Sequence, residues 1–185
     1  MFKKLFAIAA LVSIGSGALY AQADGTTATH NITVTIPEVA LVDLEGGTAV
    51  TLAFPTPTEA GAAFDVSTVT NNSLWLNYSS IVASAGETSR IVKVKLGSKQ
   101  TNGLDVRLLA AAQAGGTGTT GTPSAMLTLT TSDQDLISAI GSCYTGNGTS
   151  SGHQLTYSLN INDVAALKHD LDDNAVVVTF TITDN

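Results

Sequence analysis

Apolar and polar residues alternate along most of this 185-residue chain, in short blocks that end at glycine, proline or asparagine. Successive side chains of a β-strand point to opposite faces, so a period of two indicates strands with one buried face. The clearest blocks place their apolar residues from Leu155 to Ile161 and from Val176 to Ile182. Further strands are predicted at residues 29–36, 39–44, 50–54, 74–78, 92–96, 106–108, 127–129 and 136–140.

The spacing of these blocks predicts an all-β fold, a two-sheet sandwich rather than a parallel α/β sheet. Charged residues make up only 12% of the chain, while threonine, serine, asparagine, glycine and valine abound, which favours strands joined by turns. Residues 114–123 and 146–152 read as glycine-rich loops. Asp163 is expected to cap one short helical turn over residues 164–167.

Residues 1–23 have the order of a secretory signal peptide: Lys3 and Lys4, an apolar run, then small residues ending at Ala23. The apolar run is too short to span a membrane, so no transmembrane segment is expected. About 160 residues then remain, which suits one domain. Loss of the two lysines takes the net charge from −7 to −9, and so acidic a surface disfavours nucleic acid and anionic membranes.

Catalytic motifs are scarce, and we predict that the chain is not an enzyme and needs no cofactor or metal. Residues 148–152 match the G-x-S-x-G pattern, but that motif places its serine on a strand-to-helix turn, and no helix is expected after Ser150. His30, His153 and His169 are expected to be solvated. The acidic cluster at residues 170–174 is interpreted as a solvated turn, with a calcium site as the alternative.

Two single residues leave alternatives open. Cys143 is the only cysteine, which excludes a disulfide within the chain. Its thiol is either buried and inert, linked to a second chain, or reactive. Trp75, the only tryptophan, is either covered by the fold or an exposed platform for a sugar ring.

The segment before the main domain has the character of an unpaired strand. Ile32, Val34 and Ile36 lie on one face of residues 29–36, and Pro37 follows at once, which prevents a tight turn into the strand predicted at 39–44. Such a segment can add a strand to the open sheet edge of another chain. It can also pair within its own domain as an edge strand.

Several landmarks together resemble pilin subunits of the chaperone–usher class, in particular those of alternate-chaperone colonisation-factor fimbriae. They are residues 30–35, Val42-Asp43-Leu44, residues 49–55, residues 92–96 and the closing alternating strand. The resemblance implies an incomplete immunoglobulin-like sandwich that a periplasmic chaperone fills first and the next subunit's N-terminal strand fills later. It implies that Ile32, Val34 and Ile36 are donor-strand side chains, and that the final-strand face consists of Val176, Val178, Phe180 and Ile182.

These observations divide the chain into a signal peptide at 1–23, an extension at 24–37 and a β-sandwich at 38–185. The function expected is that of a secreted structural subunit of a surface fibre or pilus, located outside the cell after passage through the periplasm. Its expected partners are other copies or related subunits, with a chaperone and an outer-membrane usher. The alternative is a monomeric extracellular module that binds a carbohydrate or other surface ligand through Trp75 or residues 146–152, and an extracellular hydrolase ranks third.

Overall fold

The computed structural model describes residues 25–98, 103–169 and 175–185, so the predicted signal peptide lies outside the described residues. By its contacts the chain divides into two units, residues 1–35 and 36–185. The described part of the first unit, residues 25–35, is exposed and contains no strand. All strands of the described residues belong to the second unit.

The second unit is built of antiparallel strands. Those found among the described residues are β1 (Val39–Glu45), β2 (Thr70–Ile81), β3 (Arg90–Leu96), β4 (Leu104–Ala110), β5 (Thr117–Pro123), β6 (Leu127–Thr128), β7 (Gln134–Tyr144), β8 (His153–Ile161) and β9 (Val178–Asp184). A single 3₁₀ turn, Val164–Ala166, is capped as predicted, because the Asp163 carboxylate accepts a hydrogen bond from the Ala165 N–H at 2.9 Å. The prediction of an all-β chain is therefore confirmed.

The strands form one large antiparallel sheet. Its main path runs β6-β4-β8-β2-β7-β3-β9, while β1 joins β2 and β5 joins β7 at its sides. The β2 strand connects the two halves of this path, since its first part pairs with β8 and its last residues, Ser79 and Ser80, pair with β7. A division into two sheets of immunoglobulin type stays a prediction.

One continuous apolar core lies beneath these strands. Its fully buried members come from the central strands, with Leu76 in β2, Val92 in β3, Leu108 in β4, Ile137 in β7 and Leu155 in β8. The period of two assigned Leu76, Val92, Leu108 and Leu155 to the inner face, whereas Ile137 follows the equally buried Leu136 and does not fit that period. Burial of this apolar surface is the main favourable contribution to folding.

Three segments differ from the strands and loops predicted. Residues 29–36 and 50–54 contain no strand, although Val50 and Leu52 do pack against the core. Residues 117–123, predicted as part of a loop, form β5 against β7. At Gly118 in this strand, with a φ of +95°, an added Cβ would lie 2.3 Å from the Ser142 carbonyl oxygen, so only glycine allows this approach.

No helix in the described part of the chain is long and apolar enough to cross a membrane.

Candidate functional site: an open edge between the first and last strands

Within the described residues, the strands β1 and β9 each have one unpaired edge. In this part of the chain β1 is hydrogen-bonded only to β2, and β9 only to β3. The two strands lie next to each other without pairing. Each therefore has a row of backbone N–H and C=O groups that no strand of the described residues satisfies, and such a row is a template for a further strand.

The inward side chains at this site are only half-buried. In β9, Val178, Phe180 and Ile182 pack against the core, while the alternate residues Thr179 and Thr181 are exposed. In β1, Val42 and Leu44 pack against the same core and are also half-buried. By contrast, the inward residues of β3 beside them, such as Val92 and Val94, are buried. The core is thus closed in the middle of the sheet and partly open beside β1 and β9, and we call this region the open edge.

A buried arginine closes one end of the open edge. The Arg90 side chain is only 2% exposed and forms ion pairs with Glu38 and with Asp184, whose Oδ1 accepts from Nε at 2.9 Å. Its Nη1 also donates to the carbonyl oxygens of Val39 and Ile81 and to Ser80 Oγ. The start of β1, the end of β2 and the end of β9 are thereby joined at one point.

Sequence reasoning missed Arg90, although a signal for it was present. Arg90 is in phase with Val92, Val94 and Leu96, which are the inward residues of β3. A charged residue at an inward position needs partners that compensate for its desolvation. The acidic residues Glu38 and Asp184 lie far away in sequence, so the pattern of a single strand does not identify them.

The side chains of the predicted donor residues are largely exposed to solvent. Ile32 and Val34 are each 77% exposed and Ile36 is 72% exposed. Large aliphatic side chains are usually covered in a soluble protein, and three of them at alternate positions make one apolar stripe. That these side chains enter a neighbouring subunit stays a prediction.

Trp75 is only partly exposed, and its use as a platform for a sugar ring stays a prediction. It lies in β2 between Glu45 of β1 and Gln154 of β8, and its side chain is half-buried. Neighbouring strands on both sides thus account for much of its cover. Of the residues predicted for the final-strand face, Val176 is half-buried and precedes β9, which begins at Val178.

The prediction of a solvated His153 is wrong, because this residue is completely buried in β8. Its Nδ1 lies 2.8 Å from the Ala111 carbonyl oxygen, to which it donates, and its Nε2 lies 2.8 Å from the Tyr78 hydroxyl. The two rings stack with centroids 5.6 Å apart. Burial lowers the pKa of His153 and raises the pKa of Tyr78. The sequence missed this because a lone histidine carries no sign of its environment.

The arrangement around Ser150 does not resemble a hydrolase site. Ser150 is exposed in the loop that leads into β8, so a strand follows the G-x-S-x-G match instead of a helix. Both ring nitrogens of the nearby His153 already lie within hydrogen-bond distance of Tyr78 and Ala111. These contacts assign the histidine a structural role in the core.

Metal-ligating residues do not cluster in the described ranges: no group of three or more histidine, cysteine, aspartate or glutamate side chains is found there. The acidic cluster that was the candidate calcium site, residues 170–174, lies outside the described residues. Cys143 is half-buried near the end of β7, and burial raises the pKa of its thiol.

Comparison with protein-family models, with curated proteins and with solved structures finds no match to this chain. The open edge and the exposed apolar stripe are therefore interpreted on their own geometry.

Proposed function

We propose that this chain is a secreted structural subunit of a surface fibre, and that copies assemble when residues 29–36 of one enter the open edge of the next. The observation that carries the proposal is that one sequence contains both an exposed apolar segment and a sheet edge that could bind it. The described part of the chain has apolar side chains at alternate positions of a segment that pairs with no strand there, and an edge whose backbone groups are free there over a half-covered core. Backbone hydrogen bonds would provide affinity, and the side chains would fix the register.

The dimensions of the two parts agree. An extended segment of the eight residues 29–36 is about 27 Å long at roughly 3.4 Å per residue, and the seven residues of β9 extend about 24 Å. Ile32, Val34 and Ile36 would point to the core side together, because they occupy alternate positions of the segment. Thr33 and Thr35 would then face solvent, like Thr179 and Thr181 of β9.

Arg90 closes one end of the open edge, and this closure indicates the direction in which a donor strand would run. The donor segment must leave the edge toward its own body, which begins after Pro37, and Arg90 joins β1 to β9 at the end of β9. The exit is therefore expected at the other end, beside Val178. The donor strand then runs antiparallel to β9 and parallel to β1, since β1 begins at the end where β9 finishes.

A pair of variants tests the proposal on the chain without residues 1–23. Val34→Asp would place a carboxylate in an apolar core at a cost of several kcal/mol, so it should abolish polymers. Thr35→Asp adds the same charge on the opposite face and should polymerise like the parent chain. Sedimentation velocity and negative-stain microscopy measure the outcome.

Deletion of residues 24–37 should also leave a species that does not polymerise. Polymers of normal length from that truncated chain, or equal effects of the two aspartate variants, would refute the proposal. A parent chain that sediments only as a monomer would favour the alternative of a monomeric binding module.

A further inference from the structure

A shallow depression of about 440 Å³ lies where the body of the subunit begins. It is lined by Val39 at the start of β1, Ile81 at the end of β2, Thr117 in β5, and Cys143 and Tyr144 at the end of β7, together with small residues of the same strands. Most of its exposed lining surface is apolar, and the Tyr144 side chain that belongs to it is 57% exposed. The depression could therefore take an apolar side chain of another molecule.

The connection between the donor segment and the body is so short that it places a second copy beside this depression if the proposed function holds. Ile36 is the last apolar residue of the donor segment, and only three residue steps separate it from Val39. Three residues span at most about 11 Å. The exit of the neighbour's open edge therefore lies within that distance of Val39, which is itself part of the lining.

The exit end of the open edge carries a side chain that fits an apolar depression. Val177 directly precedes β9 and is 70% exposed. Its backbone is fixed, since the Val177 carbonyl oxygen accepts a hydrogen bond from the Gly97 N–H at 2.7 Å. Val177 is thus an apolar side chain held on the surface at the point where the donor strand of another copy leaves.

We infer that the depression around Val39 and Cys143 is a second contact between subunits, and that it receives the surface around Val177 of the neighbouring copy. This inference rests on the proposed strand donation and adds a body-to-body interface to it. The contact would limit bending at the short connection formed by Pro37 and Glu38. A polymer joined only by its donor strands would lack that restraint.

The single cysteine allows a direct test, because it lies in the lining of the depression and is the only thiol in the chain. A small methanethiosulfonate reagent is applied to polymers of the parent chain and to the Val34→Asp monomer. We expect the monomer to be labelled at Cys143 and the polymer to lose that labelling. A control, Cys143→Ser with Thr149→Cys in the exposed loop before β8, should be labelled equally in both backgrounds.

A second variant separates this contact from strand donation. Val177→Asp should still bind its neighbour's donor strand, but Cys143 should regain its labelling in the resulting polymers, which should be shorter or more curved. Val164→Asp, at another exposed valine in the 3₁₀ turn, should leave labelling and shape unchanged.

Labelling of Cys143 at the same rate in polymer and monomer would overturn the inference while leaving strand donation intact. A parent chain that forms no polymer would refute the proposed function itself, and the second contact with it. Sedimentation reveals that outcome before any labelling.

Discussion

Arg90 joins three strands through one side chain, and its environment determines what its loss would cost. Its guanidinium group is buried, whereas its acidic partners Glu38 and Asp184 are 62% and 44% exposed. Those carboxylates return to water when the arginine is removed, but Ser80 Oγ loses a donor in a buried place and the Ile81 carbonyl oxygen loses one in a partly buried place. The lost hydrogen bonds cost more than the lost ion pairs, because a buried acceptor without a partner keeps its full desolvation penalty.

We predict that Arg90→Met lowers the free energy of unfolding by about 2–3 kcal/mol, measured by urea denaturation. Lys93→Met is the matched control on the same strand, since Lys93 pairs with Asp135 at the surface and should change stability by about 0.5 kcal/mol or less. Equal effects of the two substitutions would contradict the role assigned to Arg90.

Burial of His153 gives stability a dependence on pH. Because the pKa of His153 is lower in the folded protein than its ordinary value of 6.5, the unfolded chain binds the proton more readily. The contribution of this residue is complete above pH 6.5 and is lost as the pH falls toward the lower folded-state pKa.

The free energy of unfolding should therefore fall between about pH 7 and pH 5.5, a range in which histidine is the usual titrating side chain. His153→Gln should reduce this slope, and His169→Gln, at an exposed position, should not. Urea denaturation at both pH values measures the slope. An unchanged slope in His153→Gln would show that other groups cause it.

At the scale of single elements, alternation predicted where side chains point better than where strands pair. The apolar residues that β2, β3, β8 and β9 pack against the core were identified, because burial on one face leaves a period of two in the sequence, whereas the buried Arg90 of β3 and His153 of β8 were not. Val50 and Leu52 show the limit of this signal: both pack against the core, yet their backbone is in no strand. A strand needs a free neighbouring edge as well as an apolar face, and a single segment does not reveal that neighbour.

For β5 the sequence prediction failed in the opposite way, because a strand was predicted as a loop. Its residues, Thr117 to Pro123, include two glycines and no large aliphatic side chain, so the segment has the composition of a loop. Its pairing with β7 depends on the close approach that Gly118 and Gly121 permit. Contact with a distant strand decides its structure, and composition alone does not report such a contact.

The candidate site was partly predictable for the same reasons. The proposed donor residues and the inward face of β9 follow from alternation and from the position of Pro37. The free edges of β1 and β9 do not, since they depend on which strands pair with which across the whole sheet. Arg90 closes the edge through Glu38 and Asp184, which lie 52 and 94 positions away from it in the sequence.

For the whole molecule, the proposed assembly requires that one sequence supply both a donor strand and its acceptor. Neither part is satisfied within the described residues: the apolar stripe is exposed, and the open edge has unpaired backbone groups. Acidic net charge keeps such subunits apart at long range, so association would depend on the fit of strand to edge. Added salt should therefore accelerate assembly rather than dissociate the polymers, as screening weakens repulsion between like charges.

The most direct test of strand donation uses a synthetic peptide of residues 25–37 and the Val34→Asp chain without residues 1–23. Hydrogen exchange of backbone amides is compared with and without the peptide, and a peptide carrying the same Val34→Asp change is the control. We predict that the parent peptide binds and slows exchange on the free edge of β9, from Val178 to Asp184, while the control peptide does not. Unchanged exchange along β9 with the parent peptide, in a chain whose parent form still polymerises, would contradict it.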